Sequence, residues 1–417
     1  MQSIVSSTLK SSVYLRGLSM VLLCSVLGCT SIIDTPSENA SDSTSVSNQI
    51  IPTDDQGTWF MVDGKPFFPI AVWAQPHWEV ANLKQLGINT IYNNGLGSPE
   101  DSNVQLLDTL AAHDMYAFLG FHDPLHPDFN SVRNHPSLLA WTFGDEPDLY
   151  GTPVATLVAE HDRIRAHDPI RPTLMNLTGG FYWDTNYGNS NNEALYHQYT
   201  DIAEMISFDH YPVSGWNRHE FLYQPGIMTK TMLDRYVNRQ KLVGAIIETC
   251  DQRLSWVPPE TPSPTPQQMR FQIWDAIING AQMIGYFTIA FDPFVWSNVT
   301  PENEAELIRS NDQIKRLTNV ILSSDRTQEL NVQISEANQR PLNYTVRKNG
   351  NNYYLFVSNA SMATSPNSYP PAQATFQFAN PPQFIEVFDE SRTITANGNR
   401  FTDNFTGLGV HIYRIRF

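Results

Sequence analysis

From residue 68 to residue 322 the chain repeats one pattern eight times: a short apolar run, then a stretch with helical spacing. Apolar runs of four to eight residues bounded by turn signals read as buried strands. Strands that alternate with helical segments argue for a parallel sheet joined by crossover helices. The runs predict strands over 68–73, 89–93, 116–120, 138–143, 172–177, 205–208, 241–247 and 283–289. The segments between them predict helices near 78–86, 103–113, 129–134, 153–167, 193–205, 229–239, 266–282 and 302–322. Eight such units close into an α/β fold, the (β/α)₈ TIM barrel.

The flanks read differently. Residues 59–68 form a predicted hairpin turning at Asp63-Gly64, placed at the closed bottom of the barrel. Beyond residue 325 short alternating strands take over, with an Asn349-Gly350 turn between two of them. They predict a small C-terminal antiparallel β-sandwich domain. The expected division is 1–29 export signal, 30–55 flexible tether rich in Ser, Thr, Asn and Asp, 56–325 barrel, and 326–417 sandwich.

Lys10 and Arg16 precede an apolar core at 17–28 that is too short for a stable membrane span. It ends in Val26-Leu27-Gly28-Cys29, which resembles a bacterial lipoprotein box with Cys29 as the lipidated residue. The absence of Asp after Cys29 fits outer-membrane retention within that family. The resemblance implies a lipid anchor and an outer-membrane lipoprotein of the cell envelope; cleavage and release is the alternative. The other cysteines, Cys24 and Cys250, offer neither a disulfide framework nor zinc spacing. No metal or cofactor is expected. The net charge of −16 argues against nucleic acid as a partner, and mildly against strongly sulfated or uronate-rich glycans. A monomer is expected.

Two carboxyl groups stand out. Glu146 follows Leu138-Leu139-Ala140-Trp141-Thr142-Phe143-Gly144-Asp145, and Glu248 follows Leu242-Val243-Gly244-Ala245-Ile246-Ile247. A carboxyl at the carboxyl end of a barrel strand faces the mouth, where such barrels keep their chemistry. Two carboxyls facing one cleft are what glycosidic bond cleavage needs: one protonated to release the leaving group, one ionised. Other readings stay open here. Glu146 could open the following helix, where the dipole favours an anion, and Glu248 could pair with Arg253.

The stretch His135-Pro136-Ser137 through Gly144-Asp145-Glu146-Pro147 resembles the fourth strand of the large clan of retaining β-glycosidases built on this barrel. The resemblance covers 58–417. It implies that Glu146 is the acid/base, Glu248 the nucleophile, and a poly- or oligosaccharide the substrate. Asp145 departs from the clan, where Asn usually stands; it can accept a hydrogen bond from a sugar hydroxyl but cannot donate one. The clan's usual Arg near strand 2 is missing. By the same resemblance Tyr211 donates to Glu248, while His210, His122 and Asn93 contact sugar hydroxyls.

Trp73, Trp183, Trp216, Trp256 and Trp296 fall at predicted strand ends or in the following loops, where indoles stack on sugar faces. The segments 178–192 and 251–266 are long enough to shape a groove. The function expected is a retaining glycoside hydrolase. The competitors are a catalytically silent glycan-binding lipoprotein and an inverting or transglycosylating variant.

Overall fold

The computed structural model describes residues 49–52, 58–93, 102–182, 192–255, 257, 262–334, 342–365 and 367–417. The expected signal, Cys29 and the 30–48 stretch lie outside the described residues, as do Trp183 and Trp256. Eight parallel strands close into a barrel: β1 Ile70–Trp73, β2 Thr90–Asn93, β3 Tyr116–Gly120, β4 Leu138–Thr142, β5 Thr173–Thr178, β6 Met205–Asp209, β7 Leu242–Glu248 and β8 Met283–Phe287. Neighbours in sequence are neighbours in the barrel, and β8 closes on β1 through Ile284–Ile70, Gly285–Ala71 and Tyr286–Val72. The TIM-barrel reading of the sequence is therefore right. Its boundaries move by a few residues at helix ends: 193–205 stops at Ile202, 266–282 stops at Ile278, and the sixth helix starts at Gln224 rather than near 229.

Alternation along each strand sorts the side chains. Ala71, Tyr92, Phe118, Leu174, Met205, Leu242, Ile246 and Met283 pack into the lumen. Val72, Ile91, Leu119, Met175, Ile206, Val243 and Ile284 face the surrounding helices. The bottom is closed as expected. Thr58–Val62 and Lys65–Phe67 pair antiparallel about Asp63 and Gly64, which both take positive φ, the geometry a two-residue hairpin turn requires. Phe60 is fully buried and meets Phe118 edge-on, with 6.2 Å between ring centroids. A third strand, Gln49–Pro52, extends this sheet.

After the helix Pro301–Ile321 the chain turns to antiparallel sheets. One has three strands (Leu330–Ile334, Ala372–Phe378, Arg400–Phe405). The other has five (Asn343–Asn349, Asn352–Ser358, Val410–Arg416, Phe384–Val387, Arg392–Thr393). Phe376, Phe401 and Leu330 of the first pack on Val346, Leu355, Ile385 and Tyr413 of the second, which makes a sandwich.

The barrel and the sandwich share a core. Phe356, Ala360, Leu408, Val410 and Ile412 belong to the apolar layer that covers the barrel's outer face. Much of the union runs through the helix Pro266–Ile278. Trp274 stacks on Phe356 at 6.0 Å and 22°. Asp275, wholly buried, accepts from Asn343 Nδ2 at 2.9 Å and Ser358 Oγ at 2.6 Å. The facing helix brings Gly226 so close to Asp275 that any Cβ there would collide with its carboxylate. Removing the shared acceptor strands one buried donor, Ser358, and one half-buried donor, Asn343, which costs about 1–3 kcal/mol. Asp275→Ala is expected to lower the free energy of denaturant unfolding by that amount, with the barrel and sandwich still unfolding together.

Candidate active site

The upper end of the lumen is polar because the last inward positions of several strands carry polar side chains. On β5 the alternation that points Leu174 inward brings Asn176 inward as well; on β6 Met205, Ser207 and Asp209 follow one another along the same face. Ser207 Oγ donates to Asn176 Oδ1 at 2.8 Å. The Asn176 amide then donates to Asp145 Oδ1 at 3.1 Å and to Asp209 Oδ1 at 3.2 Å. Glu146 is hydrogen-bonded to Asp209, and Tyr211 also bonds Asp209. Three carboxyl groups thus meet around one amide.

Their electrostatics follow from burial and mutual repulsion. Burial pushes the Glu146 carboxyl far above the usual carboxylate range, and the charges of Asp209 and Asp145 push it further. Asp209 is raised by burial and then by Asp145; Asp145 is raised by burial, against the Asn176 bond. The cluster therefore holds a proton at neutral pH, and Glu146 holds it most tightly. Glu146 also has φ of 43°, a conformation rare for a non-glycine residue and concentrated at functional sites. Asp148 lies nearby but is fully occupied. It accepts from Thr178 N at 3.1 Å, Thr178 Oγ1 at 2.6 Å and Tyr196 Oη at 2.9 Å, and so anchors the turn after Glu146.

Glu248 is held by a different set of partners. Its residue is wholly buried. Its carboxylate accepts from Val213 N at 3.0 Å, Ser214 N at 2.6 Å, Ser214 Oγ at 2.7 Å and Gln272 Nε2 at 3.1 Å. Gln272 belongs to the helix Pro266–Ile278 outside the barrel, and the Glu248 charge acts on Tyr369 of the sandwich. The carboxylates that act most strongly on Glu146 are Asp209, Asp145 and Asp148. Glu248 ties the segment after β6 to β7, while Asp209 is the carboxyl hydrogen-bonded to Glu146. The proposed salt bridge is not made, since Arg253 pairs with Asp251 at 3.7 Å.

The other expected residues divide. Tyr211 reaches the cluster but bonds Asp209, not Glu248, and its ring lies 5.4 Å from that of Phe287. His210 is buried against Gln224 Oε1 at 2.7 Å, and burial lowers its pKa to about 4, so it is a neutral packing group rather than a sugar contact. Trp73 is a lumen wall, edge-on to Tyr92 at 4.6 Å between centroids, and not an open platform. Trp296 is half-buried behind Phe294, with its carbonyl accepting from Gln75 and Thr288. Trp216 stands 42% exposed in the segment after β6. Cys250 is a buried thiol, raised to about 12 by burial, and unsuited to attack.

Asn93 and His122 line a cleft of about 330 Å³ over the ends of β2, β3 and β4, together with Phe121, Thr142, Gly144 and Glu160. Gly144, which lines the cleft, immediately precedes Asp145 and Glu146 in sequence. Among the described residues no group of three or more His, Cys, Asp and Glu is arranged to hold a metal ion.

Sequence reasoning missed Asp209 and Asn176. The two-residue alternation of β6, counted from Met205, would have found Asp209.

No protein-family model matches the sequence, and no curated protein does. The fold is similar to that of solved structures. One is described as a glycoside hydrolase: TM-score 0.54, 12% identity, 89% of this chain and 97% of that one covered. Another is a glycoside hydrolase family 5 protein from Bacteroides vulgatus: TM-score 0.53, 12% identity, 88% and 93% covered. At this identity the likeness establishes the barrel with its C-terminal sheets.

The raised carboxyls have a sign that stability measurements can read. A group whose folded pKa exceeds its unfolded one binds more protons when folded, so its contribution is intact at low pH and is lost as pH rises through the folded value. Asp209→Asn is expected to leave the melting temperature nearly unchanged at pH 4 and to raise it progressively toward pH 9.

Proposed function

We propose that this chain is a glycoside hydrolase in which Glu146 protonates the leaving oxygen and Asp209 is the ionised carboxylate that works with it. The observation that carries this reading is the hydrogen-bonded Glu146–Asp209 pair at the barrel mouth, with Glu146 held protonated by burial and by its anionic neighbours. The glycosidase folds it resembles support the class of reaction.

The retaining course runs as follows. Arrival of the sugar parts the two carboxyls toward the about 5–5.5 Å that a retaining pair needs. Asp209 attacks the anomeric carbon as its bond to the leaving oxygen breaks, and the Glu146 proton goes to that oxygen. Water then gives a proton to Glu146 and its hydroxyl to the anomeric carbon, which releases Asp209. Tyr211 and Asn176 hold Asp209 in place.

A second reading keeps Glu248 as the nucleophile. Burial raises its carboxyl above the ordinary range, and the donors from Val213, Ser214 and Gln272 work against that rise. This reading needs residues 213–214 to release the carboxylate.

A panel of polysaccharides with product analysis supplies a substrate. On it Glu146→Gln and Asp209→Asn are each expected to lose about a thousandfold or more in kcat. Peptide mapping after a 2-fluoroglycoside is expected to find the label on Asp209; a label on Glu248 selects the second reading, and inversion of the anomer overturns retention. The pH profile follows the cluster. Its alkaline limb, set by Glu146, lies well above the ordinary carboxyl range. The slow residual turnover of Asp209→Asn is expected to show that limb at lower pH, because an anion beside Glu146 is gone.

The anchor belongs to the same proposal, supported by the Val26-Leu27-Gly28-Cys29 pattern. Cys29→Ser is expected to leave the precursor uncut and free of lipid label.

A further inference from the structure

The cleft over β2, β3 and β4 carries polar atoms that the protein itself does not satisfy. Thr142 closes β4 and is 1% exposed, yet its Oγ1 is buried without a hydrogen-bond partner. His122 Nε2, across the same cleft, is likewise buried and unpartnered. A buried polar atom left unpaired costs about 1–3 kcal/mol, and native proteins seldom leave one except for water or a ligand to fill. At Gly144 nothing stands within 4 Å of where a side chain would begin, so the space beside this lining residue is open. A volume of about 330 Å³ falls at the small end of ligand sites.

Among the described residues that line it, the carboxylate is Glu160. Asp145 and Glu146 directly follow Gly144, another lining residue, in sequence. None of the lining residues is a Lys or Arg. Arg163 is turned to the Phe121 ring, 5.0 Å from its centroid, and lies beside Glu160. His122 is kept neutral by burial and by His126. Carboxylate and sulfate groups are recognised by cationic forks and ammonium groups. This cleft offers neutral donors and acceptors with an acidic rim.

Resting on the glycosidase reading, we infer that this cleft is a subsite for an uncharged sugar unit next to the scissile bond, with Thr142 Oγ1 and His122 Nε2 paired to its hydroxyls, and that Glu160 with the acidic cluster excludes uronate and sulfated units. The substrate class is then a neutral glycan.

The test separates binding from turnover. Full-length Glu146→Gln protein is titrated by calorimetry with unsubstituted β-gluco-, β-manno- and β-galacto-oligosaccharides, and with oligouronides and sulfated oligosaccharides. Binding of a neutral series is expected, with no measurable binding of the anionic ones. Thr142→Val added to this background weakens the neutral ligand about tenfold, and Thr142→Ser restores it. Glu160→Gln admits oligouronides that the parent rejects. Tightest binding by an anionic oligosaccharide, or a Kd unmoved by both Thr142→Val and His122→Phe in a protein of unchanged melting temperature, overturns the subsite. Neutral binding with no turnover by the wild-type chain leaves the subsite standing and overturns the hydrolase reading. Turnover of neutral glycans indifferent to Thr142→Val does the reverse.

Discussion

A single side-chain amide organises the mouth of this barrel. Asn176 gives both of its amide protons to carboxylates on different strands, Asp145 after β4 and Asp209 at the end of β6, while its oxygen is pinned by Ser207. Without a neutral donor between them, two buried carboxylates would repel each other in a region of low dielectric. With it, the third carboxyl, Glu146, is placed where a proton is most strongly retained. The strained backbone at Glu146 and the Asp148 anchor beneath it serve the same end, since they fix a turn that would otherwise relax.

Glu248 shows how much a strand-end carboxylate depends on donors far away in sequence. It closes β7 in the place where such barrels keep a reacting carboxylate, two residues beyond the inward-facing Ile246. A buried carboxylate takes the donors nearest to it, and here those are the unpaired amides of Val213 and Ser214 and the amide of Gln272. Four donors around one anion are a strong local solution. They hold the chain after β6 in the course that presents Tyr211 to Asp209.

The barrel was legible because its information is local: eight apolar runs with their own turn signals, each separated by a helical stretch. Glu146, Asn93 and His122 were legible as strand-end residues, and Tyr211 as a neighbour of the β6 end. What escaped depended on partners far away in sequence. Nothing near Glu248 announces the Ser214 amide, and nothing near His210 announces Gln224. Asp209 was passed over in favour of the more conspicuous His210 and Tyr211, although counting by twos along β6 points it into the lumen. Trp73 looked like a platform because it ends a strand; its contact with Tyr92 makes it a wall.

One helix links features that seem separate. Along Pro266–Ile278, Gln268 reaches Asn367 and Tyr369, Gln272 reaches Glu248, and Asp275 reaches Asn343 and Ser358. These positions lie three and four residues apart, so they share one stripe. The terminal sheets and the end of β7 are therefore braced by the same rod. Swapping those sheets for another module, as is common practice when proteins are recombined, would disturb the mouth of the barrel as well as the join.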